Sequence, residues 1–280
     1  MTTQADRDWL PPILAGKDYA AASVFTPANL LREARRQKGL PAVPVPEICV
    51  LDPDGDILRS LRRSGHASRL DHWACYHTEL YAFDHEGEKF GIIGCAVGAA
   101  FAVLLAEELF ACGCRFLVSV TSAGQILAEG ETPYFVLIDR ALRDEGTSYH
   151  YLPPAEFVDA EPTLAAAAFD QLRGTGQRIY RGAAWTTDAP FRETEAAIRQ
   201  ARARGILAVE MEAAALYAFA MAQRRAVLCF AHVTNRMAVT SGDFEKGQDA
   251  GSAAALAVIA AAARGWRASG KRDRGEPSDG

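Results

Sequence analysis

Two glutamates, Glu210 and Glu212, stand where an apolar run over 205–209 gives way to a helical pattern. The run is typical of a short buried strand. The apolar residues that follow recur three and four apart, as one face of a helix: Ala213, Leu216, Tyr217 and Ala220. Carboxylates at the start of a helix are favoured by its exposed amides and its dipole, so both glutamates can serve simply to begin the helix. Because neighbouring residues at such a junction point in different directions, one of them is also a candidate ligand-binding residue.

Other polar side chains follow the ends of predicted strands. The string Thr121-Ser122-Ala123-Gly124-Gln125 comes after an apolar strand over 115–121. Hydroxyls and small residues at the carboxyl end of a strand can form a cradle for an anion or a sugar, although the same string also makes an ordinary turn. Asp188 and Asn235 follow two further strands, over 178–184 and 225–233, and both residue types are also common in turns.

The string Val209 to Ala220, VEMEAAALYAFA, resembles the signature of the nucleoside phosphorylase-I family. This family includes purine nucleoside and uridine phosphorylases and related nucleosidases. The resemblance implies that Met211, Glu212 and Glu210 bind a ribose, with Glu212 accepting hydrogen bonds from the 2′ and 3′ hydroxyls. A carboxylate suits this role because it offers two charged acceptor oxygens to a vicinal diol.

The resemblance implies further roles along the chain. It places phosphate at Thr121, Ser122 and Gly124. It makes Asn235 the group that supports negative charge developing on the departing base, so that Asn235 and Glu212 are the expected catalytic residues. The residues expected to flank the base are Trp185, Phe191, Arg192 and Arg236. No metal and no cofactor is expected, with phosphate acting as a co-substrate.

Two departures from the family pattern concern phosphate. The family's phosphorylases commonly carry an Arg three residues before the Ser or Thr of the phosphate loop, where this chain has Ser119. The turn over 52–56, where the family often places a second phosphate-binding loop, is crowded with Asp and lacks the nearby Arg. Either phosphate is held weakly or another arginine reaches it, from a neighbouring subunit or from within the chain, where the candidates are Arg59, Arg62, Arg63 and Arg69.

The elements that position these residues alternate between strand and helix over about 47–266. This alternation predicts the α/β class, with a single-domain open mixed sheet flanked by helices as in the nucleoside phosphorylase-I family. Within it we expect a strand over 74–83 and a long loop over 144–160. Before it, a helix over 27–38 is predicted, with Thr26 as its N-cap.

Length and composition limit the remaining possibilities. With 280 residues and 49% hydrophobic composition, the chain is expected to form one domain over 47–268, an N-terminal extension over 1–46 and a disordered tail over 269–280. The net charge of −5 and the lack of a dense basic cluster argue against a nucleic-acid surface. No signal peptide or membrane-spanning run is evident, so a cytoplasmic protein without a membrane partner is expected. The six cysteines lie mostly in apolar segments and are expected to be free thiols.

The expected function is phosphorolysis of the N-glycosidic bond of a purine or pyrimidine nucleoside. The products are the free base and ribose or deoxyribose 1-phosphate. A phosphate-independent nucleosidase and a non-catalytic nucleoside-binding protein remain alternatives at this point. The resemblance also implies a homo-oligomer, whether dimer, trimer or hexamer.

Overall fold

The computed structural model describes residues 10–237, 241 and 243–270, in which strands and helices alternate. The strands are β1 Ile48–Asp52, β2 Ala67–Arg69, β3 Tyr81–His85, β4 Glu88–Gly94, β5 Phe116–Gln125, β6 Tyr134–Asp144, β7 Phe157–Asp159, β8 Ile179–Thr187, β9 Ile206–Glu210 and β10 Ala226–Asn235. The helices are α1 Pro27–Lys38, α2 Asp56–Arg63, α3 Ala99–Ala111, α4 Pro162–Leu172, α5 Glu195–Ala203, α6 Ala213–Gln223 and α7 Ser252–Ala268. The α/β class is confirmed.

The strands form one mixed sheet in the order β10-β6-β8-β9-β5-β1-β4-β3-β2, and β7 pairs with β6. Strand β10 also pairs with β5 over its whole length, which joins one end of this order back to its middle. Strands β5, β9, β8, β6 and β10 therefore close into a ring, and the other strands extend from it. The mixed sheet agrees with the sequence prediction, but it is not open over these strands, because β5 has partners that the hydrophobic pattern could not reveal.

The N-terminal helix forms as its end signals predict. The hydroxyl of Thr26 accepts a hydrogen bond from the amide of Asn29 at 3.2 Å, and Pro27 occupies the first turn. Gly39 ends the helix with a φ of 65°, a left-handed conformation that glycine adopts without strain. Leu31 and Ala34 are buried in the main core, so this segment packs on the sheet domain.

Helix α6 lies inside the molecule, because every residue from Ala213 to Ala220 is buried. Its many alanines allow close approach to the sheet. The Tyr217 hydroxyl donates to the carbonyl of Ile138 at 2.5 Å and accepts from the amide of Cys229 at 2.9 Å, which ties the helix to β6 and β10. The glutamates at its start therefore stand on a rigid support.

Three segments differ from the sequence prediction. Only residues from Tyr81 onward form the strand expected over 74–83, since the carbonyls of Ala74 and Cys75 accept hydrogen bonds from the Lys38 ammonium rather than from a strand. The small residues 121–125 continue β5 instead of forming a loop, because β9 and β10 pair with them. The expected loop over 144–160 contains a short 3-10 turn and β7. Most of the predicted tail, 271–280, lies outside the described residues.

Candidate active site

Glu210 ends β9 and fixes the start of α6. One of its carboxylate oxygens accepts hydrogen bonds from the backbone amides of Glu212 and Ala213, both at 2.7 Å. The other accepts from the Thr186 hydroxyl at 2.5 Å, and that hydroxyl in turn accepts from the amide of Ala214 at 2.9 Å. Both oxygens of Glu210 are thus engaged within the chain. This arrangement makes Glu210 a residue that positions the helix start, and its expected contact with ribose stays a prediction.

Glu212 is 1% exposed, and its two oxygens have different surroundings. One accepts a hydrogen bond from the backbone amide of Gly98 at 2.7 Å, and the other has no hydrogen-bond partner among the described residues. Burial, followed by the negative charge of Glu210, raises the pKa of Glu212, whereas the Gly98 amide lowers it, as does the Thr121 side chain, which lies near the carboxylate without forming a well-aligned hydrogen bond to it. A buried carboxylate oxygen without a donor is costly, so the site favours a ligand that supplies a hydroxyl.

Gly98 brings its amide to Glu212 through an unusual backbone conformation. Its φ is 93°, which side-chain-bearing residues rarely adopt, and an added Cβ would still meet open space. The glycine at this position is therefore required by the backbone conformation rather than by crowding. It connects the loop before α3 to the start of α6, which are distant in sequence.

Asn235 ends β10 opposite Gly124 of β5, at a point where the strand register shifts. Its side-chain oxygen accepts a hydrogen bond from the amide of Met237 at 2.9 Å, and its amide nitrogen lies 3.2 Å from the hydroxyl of Thr234. A Cβ on Gly124 would lie 2.6 Å from the Met237 sulfur. The structure thus brings two predicted site residues, Asn235 and Gly124, against each other.

Ser122 forms an anion cradle, the name we give to its backbone amide and hydroxyl together. Both groups donate hydrogen bonds to the carboxylate of Asp54, each at 2.7 Å. The Lys246 ammonium lies 3.2 Å from Asp54 and 2.6 Å from Asp56. Burial would lower the pKa of Lys246, but its contacts with Asp56 and Asp54 raise it. Neither Asp54 nor Lys246 was predicted from the sequence as a site residue, although the crowding of Asp in the 52–56 turn was a signal.

The four candidate arginines make other contacts. Arg59 pairs with Asp56 at 2.5 Å and donates to the carbonyl of Asp54 at 2.7 Å. Arg62 lies over the Tyr81 ring. The other two, Arg63 and Arg69, pair with acidic residues outside the cradle: Asp249, Asp71 and Glu79. Ser119 is buried, and its hydroxyl has no partner among the described residues. Lys246, rather than any of these arginines, is therefore the cation beside the Ser122 cradle.

The residues predicted to flank the base are dispersed. Trp185 is buried in a small second core with Val209 and Ile126, and its indole nitrogen donates to Asp144 at 2.9 Å. Phe191 is 100% exposed. Arg192 and Arg236 are also exposed. Met237, whose amide donates to Asn235, packs on the second core that contains Trp185 and Val209.

Asp188 and Met211 also lie near these elements. The Asp188 carboxylate accepts a hydrogen bond from the amide of Gly146 at 2.8 Å, so it serves the turn before the short 3-10 helix. Met211 is partly exposed at the turn between β9 and α6. Asp188 thus has a local structural role, while Met211 stays available beside Glu212.

A large cavity lies elsewhere in the molecule. Its volume is about 960 Å³, and it is bordered by the end of α6, the start of β10, and residues of β6 and β8. It contains none of the predicted site residues. Over the described part of the chain, no three His, Cys, Asp or Glu side chains are grouped so that they could bind a metal ion. No helix in that part has the length and apolar character needed to cross a bilayer.

Residues 47–264 match the family model described as Phosphorylase superfamily. The chain belongs to this superfamily. The matched region contains the Glu210–Glu212 junction, the Ser122 cradle and Asn235. The resemblance first seen in the VEMEAAALYAFA string is thereby confirmed.

Individual relatives agree with this membership. A guanosine phosphorylase from Halorubrum lacusprofundi is 27% identical over 215 residues, which cover 71% of this chain and 86% of that protein. The structure of uridine phosphorylase from Vibrio fischeri in complex with 6-hydroxy-1-naphthoic acid aligns with a TM-score of 0.62 at 18% identity, covering 82% of this chain and 91% of that one. Another structure of the V. fischeri enzyme gives a TM-score of 0.63 at 18% identity, with 82% and 92% coverage. These two likenesses establish the fold of this superfamily member.

Proposed function

We propose that this member of the phosphorylase superfamily is a nucleoside phosphorylase. In the reaction, an oxygen of phosphate forms a bond to the anomeric carbon of the sugar while the N-glycosidic bond breaks. The base leaves with the bonding electron pair, and ribose or deoxyribose 1-phosphate is the other product. Family membership and the 27% identity to a guanosine phosphorylase support this reaction.

The observation that carries the proposal is the buried carboxylate of Glu212. One oxygen is fixed by the Gly98 amide, and the other has no donor among the residues described. A ribose presents two adjacent hydroxyls, and one of them can donate to that oxygen in a charge-assisted hydrogen bond. Glu212, with Met211 beside it, is therefore assigned to the sugar.

Asn235 is assigned to the departing base. Its position at the end of β10 is fixed by the hydrogen bond from the Met237 amide, so its amide group is preorganised. The Thr121, Ser122 and Gly124 segment is assigned to phosphate, because the Ser122 amide and hydroxyl already hold the carboxylate of Asp54. Phosphate is the only co-substrate that the proposal requires.

Product analysis tests this function. Purified protein is incubated with a panel of purine and pyrimidine nucleosides, guanosine first, with and without phosphate. We expect base release only with phosphate, together with ribose 1-phosphate. Free ribose formed at the same rate without phosphate would make the protein a nucleosidase, and tight binding without turnover would make it a nucleoside-binding protein.

Assembly and location are part of the same proposal. We take the enzyme to be a cytoplasmic homo-oligomer of two, three or six chains, on the basis of its family resemblance. Light scattering of the protein eluting from a sizing column measures the mass, and a mass of one 30.2 kDa chain would contradict the assembly.

A further inference from the structure

The anion cradle at Ser122 holds an anion of the chain itself. Each oxygen of the Asp54 carboxylate receives one short hydrogen bond, one from the Ser122 amide and one from the Ser122 hydroxyl. Lys246 lies 3.2 Å from the oxygen that the hydroxyl binds. An N–H, an O–H and an ammonium are the types of donor that a phosphate oxyanion requires. Asp54 therefore uses the groups that a bound phosphate would use.

Hydrogen bonds of Asp52 fix the turn that carries Asp54. The buried carboxylate of Asp52 accepts hydrogen bonds from the amides of Gly55 and Leu58, at 3.1 and 2.9 Å. Gly55 has a φ of 75°, and an added Cβ would lie 2.7 Å from the Cys95 sulfur. The backbone of the turn is thereby held, and the side chain of Asp54 projects from it to Ser122. The contact of Asp54 with Ser122 therefore starts from a backbone that hydrogen bonds hold in place.

The charges around the cradle oppose a second anion. Asp54 and Asp56 both face Lys246, whose ammonium they share. Arg59 is engaged with Asp56. A phosphate dianion next to Asp54 would meet a like charge and would find the Ser122 donors already in use. Phosphate and the Asp54 carboxylate therefore cannot occupy the cradle together.

We propose that Asp54 is a built-in competitor of phosphate, and that phosphate binds the Ser122 cradle only when the Asp54 side chain has left it. Lys246, released from Asp54, then pairs with the phosphate. The apparent dissociation constant for phosphate is the intrinsic one divided by the fraction of molecules whose cradle is open. Asp54 thus sets the phosphate concentration at which the enzyme works. This inference rests on the proposed function, since it takes phosphate as the anion.

The test measures equilibrium binding of inorganic phosphate by calorimetry without nucleoside. If about one molecule in ten has an open cradle, Asp54→Ala lowers the dissociation constant about tenfold. Asp54→Asn removes the charge but keeps an oxygen that can accept from the Ser122 donors. It should therefore lower the dissociation constant less than Asp54→Ala does. In the Asp54→Ala protein, an added Lys246→Met change should reverse most of the gain. Asp71→Asn, at an exposed aspartate paired with Arg69, is the matched control and should leave the constant unchanged.

Phosphate binding that is unchanged or weaker in Asp54→Ala would overturn the proposal, because Asp54 would then support the cradle instead of blocking it. Circular dichroism and thermal unfolding show whether each variant is folded. If Asp54→Ala is not folded, the same comparison is made with Asp54→Asn, and an unchanged or higher dissociation constant for phosphate overturns the proposal. The binding measurement does not depend on turnover. A failure of the proposed function would appear separately, as free ribose released by the unmodified enzyme without phosphate.

Discussion

Replacing Glu212 with Gln isolates the charge at the proposed sugar site. The variant keeps the side-chain volume, and its amide oxygen can still accept the 2.7 Å hydrogen bond from Gly98. The other oxygen, which has no donor among the described residues, becomes an NH₂ group. A ribose hydroxyl that donated to that oxygen then loses a charged acceptor. We expect slower turnover from a protein that folds normally.

The size of the effect follows from the type of hydrogen bond. A hydrogen bond to a charged group contributes about 1.5–3 kcal/mol, which corresponds to a loss in kcat/KM of roughly 10- to 150-fold. Stability should not fall, because burial and the charge of Glu210 disfavour the ionised form of Glu212, and Gln removes that charge. The midpoint of thermal unfolding is therefore expected to stay the same or rise.

The assay is phosphorolysis of a ribonucleoside and of its 2′,3′-dideoxy analogue by both proteins. The loss should be large for the ribonucleoside and small for the analogue, which has no 2′ or 3′ hydroxyl to donate to Glu212. Glu108→Gln is the matched control, because Glu108 is also buried and both of its oxygens lack partners among the described residues. An equal loss with the two substrates, or no loss at all, would refute the assignment of Glu212 to the sugar.

Three further changes test neighbouring parts of the site. Glu210→Gln removes a charge that raises the pKa of Glu212, so the acid limb of the pH profile of kcat/KM should move to lower pH; an unshifted limb would disprove the coupling. Asn235→Ala should lower the rate for natural nucleosides more than the rate for a nitrophenyl riboside, whose leaving group needs less stabilisation. Equal losses of rate would show that Asn235 does not act on the base. Burial raises the pKa of Asp52 from 3.8 to about 7, so the folded protein keeps a proton that the unfolded chain loses in this window, and stability falls as pH rises through it. Asp52→Asn should reduce the pH dependence of the free energy of unfolding in this window, by at most about 1.4 kcal/mol per pH unit. Urea unfolding at several pH values measures that slope, and an unchanged slope would contradict the raised pKa.

Local patterns in the sequence predicted much of the fold. The bounds of α1 were read from Thr26 and Pro27, because capping and the fixed φ of proline act within a few residues. Helix α6 was read from its apolar repeat. Residues 121–125 were misread as a loop, since their strand conformation depends on pairing with β9 and β10, which are far away in sequence.

The junction of β9 and α6 shows which features of the site the sequence could predict and which it could not. The motif identified Glu210 and Glu212 together and, by resemblance, gave both to the sugar. The structure separates them, because the oxygens of Glu210 are taken up by the start of α6 and by Thr186, while one oxygen of Glu212 has no donor among the described residues. Directions of side chains at a junction depend on backbone turns, which residue types alone do not specify.

The sequence by itself determined the family and the residue types of the site, because both are carried by contiguous strings such as VEMEAAALYAFA. Only the tertiary structure decided which charges meet at the anion cradle. Asp54, Ser122 and Lys246 come from a turn, a strand and a loop far apart along the chain, and they meet because β1 and β5 pair side by side. Electrostatic interactions depend on distance in space, so a pattern in the sequence could show the crowded aspartates without showing which donors hold them.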